Sequence, residues 1–377
     1  MPERLKILFS GMVAGDPCQG GATWAVLQYV AGLRSLGHEV LLVEPVAGGR
    51  LDEDPRIASY FEGLPLLEGR AALLDEASGR TLGLPYEQVA EFARGSDLLI
   101  NVSGMLRDER LLEPIPVRAY LDLDPGFNQV WHQTGHDVGL NLHTHFLTVG
   151  LAVGREGCRV PTCGRTWIHT LPPVALEHWP RWELAPDADA FTTVGHWRSY
   201  GSIEHDGVHY GQRAHSLRRL IDLPGRTSAR FRLALGIHPD ETADLAALRG
   251  NGWELVDPYD VAGDPGRYAG FIHASRGELC VAKSGYVDSG SGWFSDRSAC
   301  YLASGRPVVA QETGFSGSLP TGEGLLSYSN AAGAAAAIAE VESRRQRHAA
   351  AARELAEEYL DAAKVLERLL RRLAGSG

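Results

Sequence analysis

The chain has 377 residues, 44% of them hydrophobic, and a formal net charge of −11, which is enough length and apolar content for two domains with separate cores. That acidic balance disfavours a nucleic-acid backbone as the main partner, since such binding relies on clustered Lys and Arg. No apolar run approaches the roughly 20 residues that cross a bilayer, and "MPERLKILFSG" lacks the long apolar core of a signal peptide. A cytoplasmic protein without a transmembrane segment is expected. Five scattered cysteines suggest reduced thiols, and "CRVPTC" around Cys158 and Cys163 has no second pair with which to complete a zinc site.

In chain order, "KILFSGM" reads as a strand, "GGATWAVLQYVAGLRSLG" as a helix ending at Gly37, and "HEVLLVEPV" as a second strand closed by Pro45. This βαβ unit predicts a parallel sheet. Further strands are expected at "DLLINVSG", "RAYLDLDP" and "HFLTVGLAVG". Pro172, Pro173, Pro180 and Pro186 then interrupt every regular pattern, as an interdomain linker would. Alternation restarts with "AFTTVGHW" as strand, "YGQRAHSLRRLIDLP" as helix, "ARFRLALGI" as strand, "PDETADLAALRGNG" as helix, "WELVDP" as strand, "DPGRYAGFIHAS" as helix and "ELCVAK" as strand. From Ala349 to Ala374, apolar residues at helical spacing predict one long terminal helix packed on a domain surface, with a dimerising coiled coil as the weaker alternative. The expected organisation is an α/β chain with a doubly wound, Rossmann-like domain over 1–185, a second over 186–345, and the terminal helix over 346–377. Two such domains place their ligand crevices face to face across a cleft. The chain is expected to be a monomer or homodimer.

The stretch "SGWFSDRSACYLASGRPVVAQETGF" carries the most chemistry. Ser295, Asp296, Arg297 and Ser298 have the form of an N-cap and first helical turn, with a helix to about Ser304 and a buried strand at "PVVA". Hydroxyls and an arginine at a helix start beside a parallel sheet make a phosphate-binding arrangement. The alternative is an ordinary capped helix.

"GGATWAVLQYVAGLRSLGHEVLLVEP" resembles the Gly-Gly loop, first helix and second strand of glycosyltransferases with the GT-B fold. "ACYLASGRPVVA" is similar to the "EAMACGKPVVA" segment in the nucleotide-binding domain of the same superfamily, of the family 4 and family 1 type. The retaining members carry two glutamates eight positions apart, where this chain has Gly292 and Cys300. The retaining assignment therefore does not transfer, and the pattern leans towards inversion.

The resemblance implies sugar transfer from a nucleotide-diphosphate sugar to a hydroxyl, without a cofactor and without a metal. The leaving diphosphate needs helix dipoles and cations, for which Arg198, Lys283, Ser295, Asp296, Arg297 and Ser298 are the candidates. The acceptor hydroxyl needs a general base: Asp16 in "AGDPCQGG", Asp124 in "DLDP", or His145. Gln311, Glu312 and Thr313 are candidate sugar contacts, and Gly20, Gly21 and Thr23 a cleft loop. "DLDP" holds an Asp-x-Asp pair, but on the acceptor side, so a metal there would contradict the metal-free reading. A nucleotide-sugar epimerase and a non-catalytic nucleotide- or sugar-binding protein are the other readings. The acceptor, the sugar and the base are not legible.

Overall fold

Apolar runs bounded by glycine and proline form the strands, because a parallel sheet covered by helices on both faces buries its strands almost completely. A computed structural model describes residues 4–183 and 188–375. The first domain contains β1 (Lys6–Ser10), β2 (Glu39–Val46), β3 (Ala71–Asp75), β4 (Thr81–Gly83), β5 (Leu98–Val102), β6 (Val117–Asp122), β7 (His145–Thr148) and β8 (Trp167–His169). Their order is β4-β3-β2-β1-β5-β6-β7-β8, and only the β3–β4 pair is antiparallel. The second domain contains β9 (Ala190–His196), a hairpin of β10 (Ile203–His205) and β11 (Val208–Tyr210), then β12 (Arg230–Gly236), β13 (Glu254–Leu255), β14 (Gly277–Cys280), β15 (Val308–Gln311) and β16 (Leu325–Tyr328). Its parallel sheet runs β13-β12-β9-β14-β15-β16. In each sheet the order reverses beside the first strand, between β1 and β5 and between β9 and β14, which is where doubly wound sheets open their ligand crevices.

Several local expectations change. Strands β3, β4 and β8 and the β10–β11 hairpin have no counterpart in the pattern reading, and "HFLTVGLAVG" is strand only to Thr148. The helix expected across "YGQRAHSLRRLIDLP" is confined to Arg213–Arg218. The tail is two helices, Arg345–Leu355 and Ala362–Ala374, joined by a wide helical turn over 356–360. Asp361 is extended there (φ −48°, ψ 122°), caps the last helix through the Ala363 N–H, and sits in a β-bridge with Val174. At that bridge the chain returns to the first domain, where Leu366, Leu369, Leu370 and Leu373 are buried in the apolar core. This burial on its own chain occupies the face that a coiled coil would have used.

The expected boundary at 185/186 lies outside the described residues. The proline-rich segment before it is packed rather than loose: Trp179 is fully buried beside Trp24, and the Ala175 N–H donates to Gln28 Oε1 at 2.6 Å.

The two domains touch through backbone. Leu151 N–H donates to the Gly292 carbonyl (3.2 Å), Ala152 N–H to that of Ser291 (3.1 Å), and Arg159 N–H to that of Ser289 (2.8 Å). Gly292 has φ +74°, and a Cβ there would stand 2.4 Å from the Ala152 nitrogen. A side chain is excluded at 292 both by backbone conformation and by the approach of the other domain. Installing the family's glutamate with Gly292→Glu should therefore cost about 1–3 kcal/mol and lower the Tm, as overpacking does. Gly201→Ala, at a glycine with no atom within 4 Å of an added Cβ, should leave the Tm unchanged in the same scan.

Candidate active site

The loop leaving β1 is held by a carboxylate that the apolar run of β2 carries inside. Glu44, 1% exposed, accepts the N–H groups of Val13 (2.9 Å), Ala14 (2.8 Å) and Gly15 (2.9 Å). Burial nevertheless raises its carboxyl to about 7, against those three donors. Thr23 Oγ1 ties the loop to the following helix by donating to the Val13 carbonyl at 2.8 Å. The loop so fixed presents Asp16, whose Oδ2 accepts from Gln19 Nε2 and whose nearest cation, Arg50, is 3.9 Å away. Gln19 Oε1 lies 3.1 Å from His196 Nε2 at the end of β9, so a chain Asp16–Gln19–His196 joins the domains. Burial, and secondarily Arg213, lowers the His196 pKa, which keeps that ring neutral and able to donate from Nε2.

This chain crosses a cleft of about 580 Å³ at the C-terminal ends of β1, β9 and β12. Its first-domain wall includes Met12, Asp16, Gly20 and Gly21; its second-domain wall includes Gly195, His196, Arg198, Tyr259, Asp296 and Arg297. The helix Gly20–Ser35 opens onto it with no side-chain cap, so its first-turn amides and positive dipole end are free to meet an anion. Gly20 is a necessity of packing, because a Cβ there would stand 2.2 Å from the Asp264 carbonyl oxygen. Tyr259 is 61% exposed, an unusual state for a large ring and one that leaves a face for stacking.

The residues expected from sequence fall into three groups. Asp16, Gly20, Gly21, Arg198, Asp296 and Arg297 line the cleft. Arg198 Nε is bonded to Glu241, while Arg297 is bound by buried Glu278 and by the Val194 carbonyl (3.0 Å). A second group supports the walls. Thr23 ties the first loop, Ser295 Oγ caps its helix by accepting the Arg297 N–H (3.2 Å), and Ser298 is fully buried. Gln311 accepts the Ala282 N–H (3.2 Å), Glu312 accepts those of Thr313 (3.1 Å) and Gly314 (2.7 Å), and Thr313 Oγ1 donates to the Trp293 carbonyl (2.6 Å). His145 stands apart: it opens β7 in register with Ala119, at the end of the sheet opposite the cleft.

Lys283 and Asp124 meet each other. Lys283 Nζ lies 2.8 Å from Asp124 Oδ2, and the hydroxyls of Tyr200 and Tyr286 also bond to that carboxylate. Phe127 and Tyr200 present their rings to the ammonium at 4.8 and 4.2 Å. Burial pulls the Lys283 pKa down against the opposing effect of Asp124. The candidate base and the candidate phosphate cation thus neutralise one another across the domain interface. Asp122, the other half of the Asp-x-Asp pair, is fully buried and accepts from Asn128 (2.7 Å), Gln129 (2.7 Å) and Thr148 (2.8 Å).

Pattern reading missed Glu44, Gln19, His196, Tyr200, Tyr259 and Tyr286. Glu44 alone had a signal, an acid inside the apolar run "VLLVEPV".

Comparison with known protein families and with curated proteins finds no match. Solved structures do match over nearly the whole chain. An alpha-glucosyltransferase in complex with UDP-glucose and DNA superposes with TM-score 0.64 at 12% identity, covering 98% of each chain. The chain has a glycosyltransferase fold. Sucrose-phosphate synthase from Thermosynechococcus elongatus superposes at TM-score 0.58 and 14% identity over 99% of this chain and 100% of that one. Anabaena HepE in complex with UDP and glucose gives 0.59 and 13%, again over 99% and 100%. This is the two-domain GT-B architecture expected from "GGATWAVLQYV" and "ACYLASGRPVVA". The expectation that net charge speaks against nucleic acid finds no support, because structures of an alpha-glucosyltransferase of this fold hold DNA. Among the described residues no helix is long and apolar enough to cross a membrane.

The Asp124–Lys283 pair generates a direct test. Lys283→Met strands a carboxylate at the interface and should cost about 3–5 kcal/mol in chemical denaturation. Adding Asp124→Asn to Lys283→Met should recover part of that loss, giving a coupling energy that two independent surface charges would not show.

Proposed function

We propose that this chain transfers a glycosyl group from a nucleoside-diphosphate sugar to a hydroxyl acceptor, in the cleft between its two domains. The observation that carries the reading is that cleft, bounded by two doubly wound sheets at their C-terminal ends and opening on an uncapped helix start, in a fold whose solved examples hold UDP, UDP-glucose and glucose. The diphosphate would lie against the first-turn amides at Gly20 and Gly21, with Arg198 the cleft cation that retains the most exposure, 34% of its side chain. Tyr259 would stack on the base. Developing charge on the leaving diphosphate is then met by fixed dipoles that need no reorganisation.

For the acceptor we assign Asp16. Asp124 is committed to Lys283 and His145 lies at the far end of its sheet, whereas Asp16 lines the cleft with one neutral hydrogen-bond donor and a cation 3.9 Å away. In a direct, inverting displacement Asp16 takes the acceptor's proton as its oxygen bonds to the anomeric carbon, and the bond to the diphosphate breaks, so that the nucleoside diphosphate leaves. The reading is metal-free, because both carboxylates of the Asp-x-Asp pair already hold protein donors.

Each nucleotide sugar incubated alone and then with a panel of hydroxyl acceptors tests the reading. Products should be a nucleoside diphosphate and a glycosylated acceptor, and chelation by EDTA should leave the rate unchanged. An altered sugar still attached to its nucleotide, formed without acceptor, would mark an epimerase instead. Asp16→Asn should reduce turnover about 10²–10⁴-fold with nucleotide affinity preserved, and Tyr259→Ala should weaken nucleotide binding about tenfold by calorimetry.

A further inference from the structure

Behind the cleft, a recess of about 20 Å³ opens from it past Ala25, Leu123 and Asp296. Its walls are largely apolar, formed by Leu123, Pro173, Trp293 and Phe294, and Tyr29 and Asp296, one from each domain, bring a hydroxyl and a carboxyl to it. Tyr29 is 2% exposed, and its hydroxyl is buried without a hydrogen-bond partner. Leaving such a group unpaired costs about 1–3 kcal/mol, so an orphan hydroxyl on a side chain that lines a cavity points to an occupant. Burial first, and then the charge of Asp296, raises the Tyr29 hydroxyl far above its ordinary range; it remains a protonated donor at any working pH. Burial raises the Asp296 carboxyl above its ordinary range, against Arg297 and the amides of its own helix start, and its oxygens can accept a hydroxyl in either protonation state. The space admits a single water-sized group.

We propose that this recess is a specificity pocket that holds one hydroxyl of the transferred sugar, with Tyr29 donating to the sugar oxygen and that hydroxyl donating to Asp296. This rests on the transfer reading above and narrows its substrate class. The sugar must carry a free hydroxyl where it meets the recess, because an N-acetyl or phosphate group exceeds the volume, and a deoxy position would leave Tyr29 and Asp296 unpaired. Sites built to bond a hydroxyl discriminate far more strongly against its absence than apolar pockets do. Asp296 is assigned here to the sugar, leaving the diphosphate to the helix start on the opposite wall.

Calorimetry and turnover with UDP, ADP, GDP and dTDP, and with UDP-glucose, UDP-galactose, ADP-glucose, GDP-mannose and dTDP-glucose, first identify the nucleotide sugar that the wild type uses best. Tyr29→Phe is then compared on that nucleotide sugar and on its free nucleoside diphosphate. Affinity for the free diphosphate should stay within twofold, affinity for the nucleotide sugar should fall about tenfold or more, and the Tm should not drop, since the substitution removes an unpaired hydroxyl. Asp296→Asn should reproduce the same split between sugar and diphosphate. Equal affinities of Tyr29→Phe and wild type for the nucleotide sugar would overturn the pocket while leaving glycosyl transfer intact, and would assign the recess to a structural water. A wild type that binds neither nucleotides nor their sugars would overturn both readings.

Discussion

The ion pair between Asp124 and Lys283 is the contact on which the geometry of the cleft depends. Two charges taken from water repay their desolvation only if they are close and otherwise saturated. Here Tyr200 and Tyr286 bond the carboxylate, while Phe127 and Tyr200 face the ammonium with the negative faces of their rings. The acid belongs to the loop after β6 in the first domain and the base to the turn after β14 in the second. Domain docking is therefore an electrostatic requirement, because separating the domains would expose two groups that each need the other. The seam at Leu151, Ala152 and Gly292 adds main-chain bonds, which fix register as side chains alone would not.

The seam also bears on the two positions where the retaining glycosyltransferases that the sequence resembles carry glutamates. At 292 a positive φ and the Ala152 backbone leave no room for a side chain. At 300 a buried thiol accepts from Gln28 Nε2 at 3.4 Å, and the same Gln28 holds the Ala175 N–H. Both positions have been given over to domain contact. The carboxylates that line the cleft are Asp16 on the first wall and Asp296 on the second.

Fold was legible in the sequence because buried parallel strands read as apolar runs, and "KILFS", "EVLLVEPV", "AFTTVGH" and "RFRLALG" all do. Strand β4, three residues at the sheet edge, has too little burial to leave such a trace. The break at Asp361 was hidden because local spacing stays helical on both sides, and only the distant Val174 backbone makes an extended residue favourable there. The site was less legible for a related reason. Sequence names the polar residues near strand ends but not which of them satisfy one another, so Lys283, Asp124, Arg297 and Ser295 read as ligands until their partners are visible.

That mutual satisfaction bears on how an acidic chain could hold a diphosphate at all. Arg297 is bound by Glu278; Arg213 donates from Nε to the Val281 carbonyl and from Nη1 to that of His196, with burial lowering it to about 10; Lys283 is bound by Asp124. These cations shape the second wall and carry little free charge into the cleft. What remains for an anion is the exposed part of Arg198, itself paired with Glu241 through Nε, and oriented backbone, chiefly the uncapped helix start. Fixed dipoles of this kind attract an anion without filling the cleft with mobile side chains, and they strengthen as the cleft is emptied of water. On the proposed reading, the diphosphate would meet the same helix start whose Gly20 packs against Asp264 of the other domain, so docking of the domains and assembly of the site would be one event.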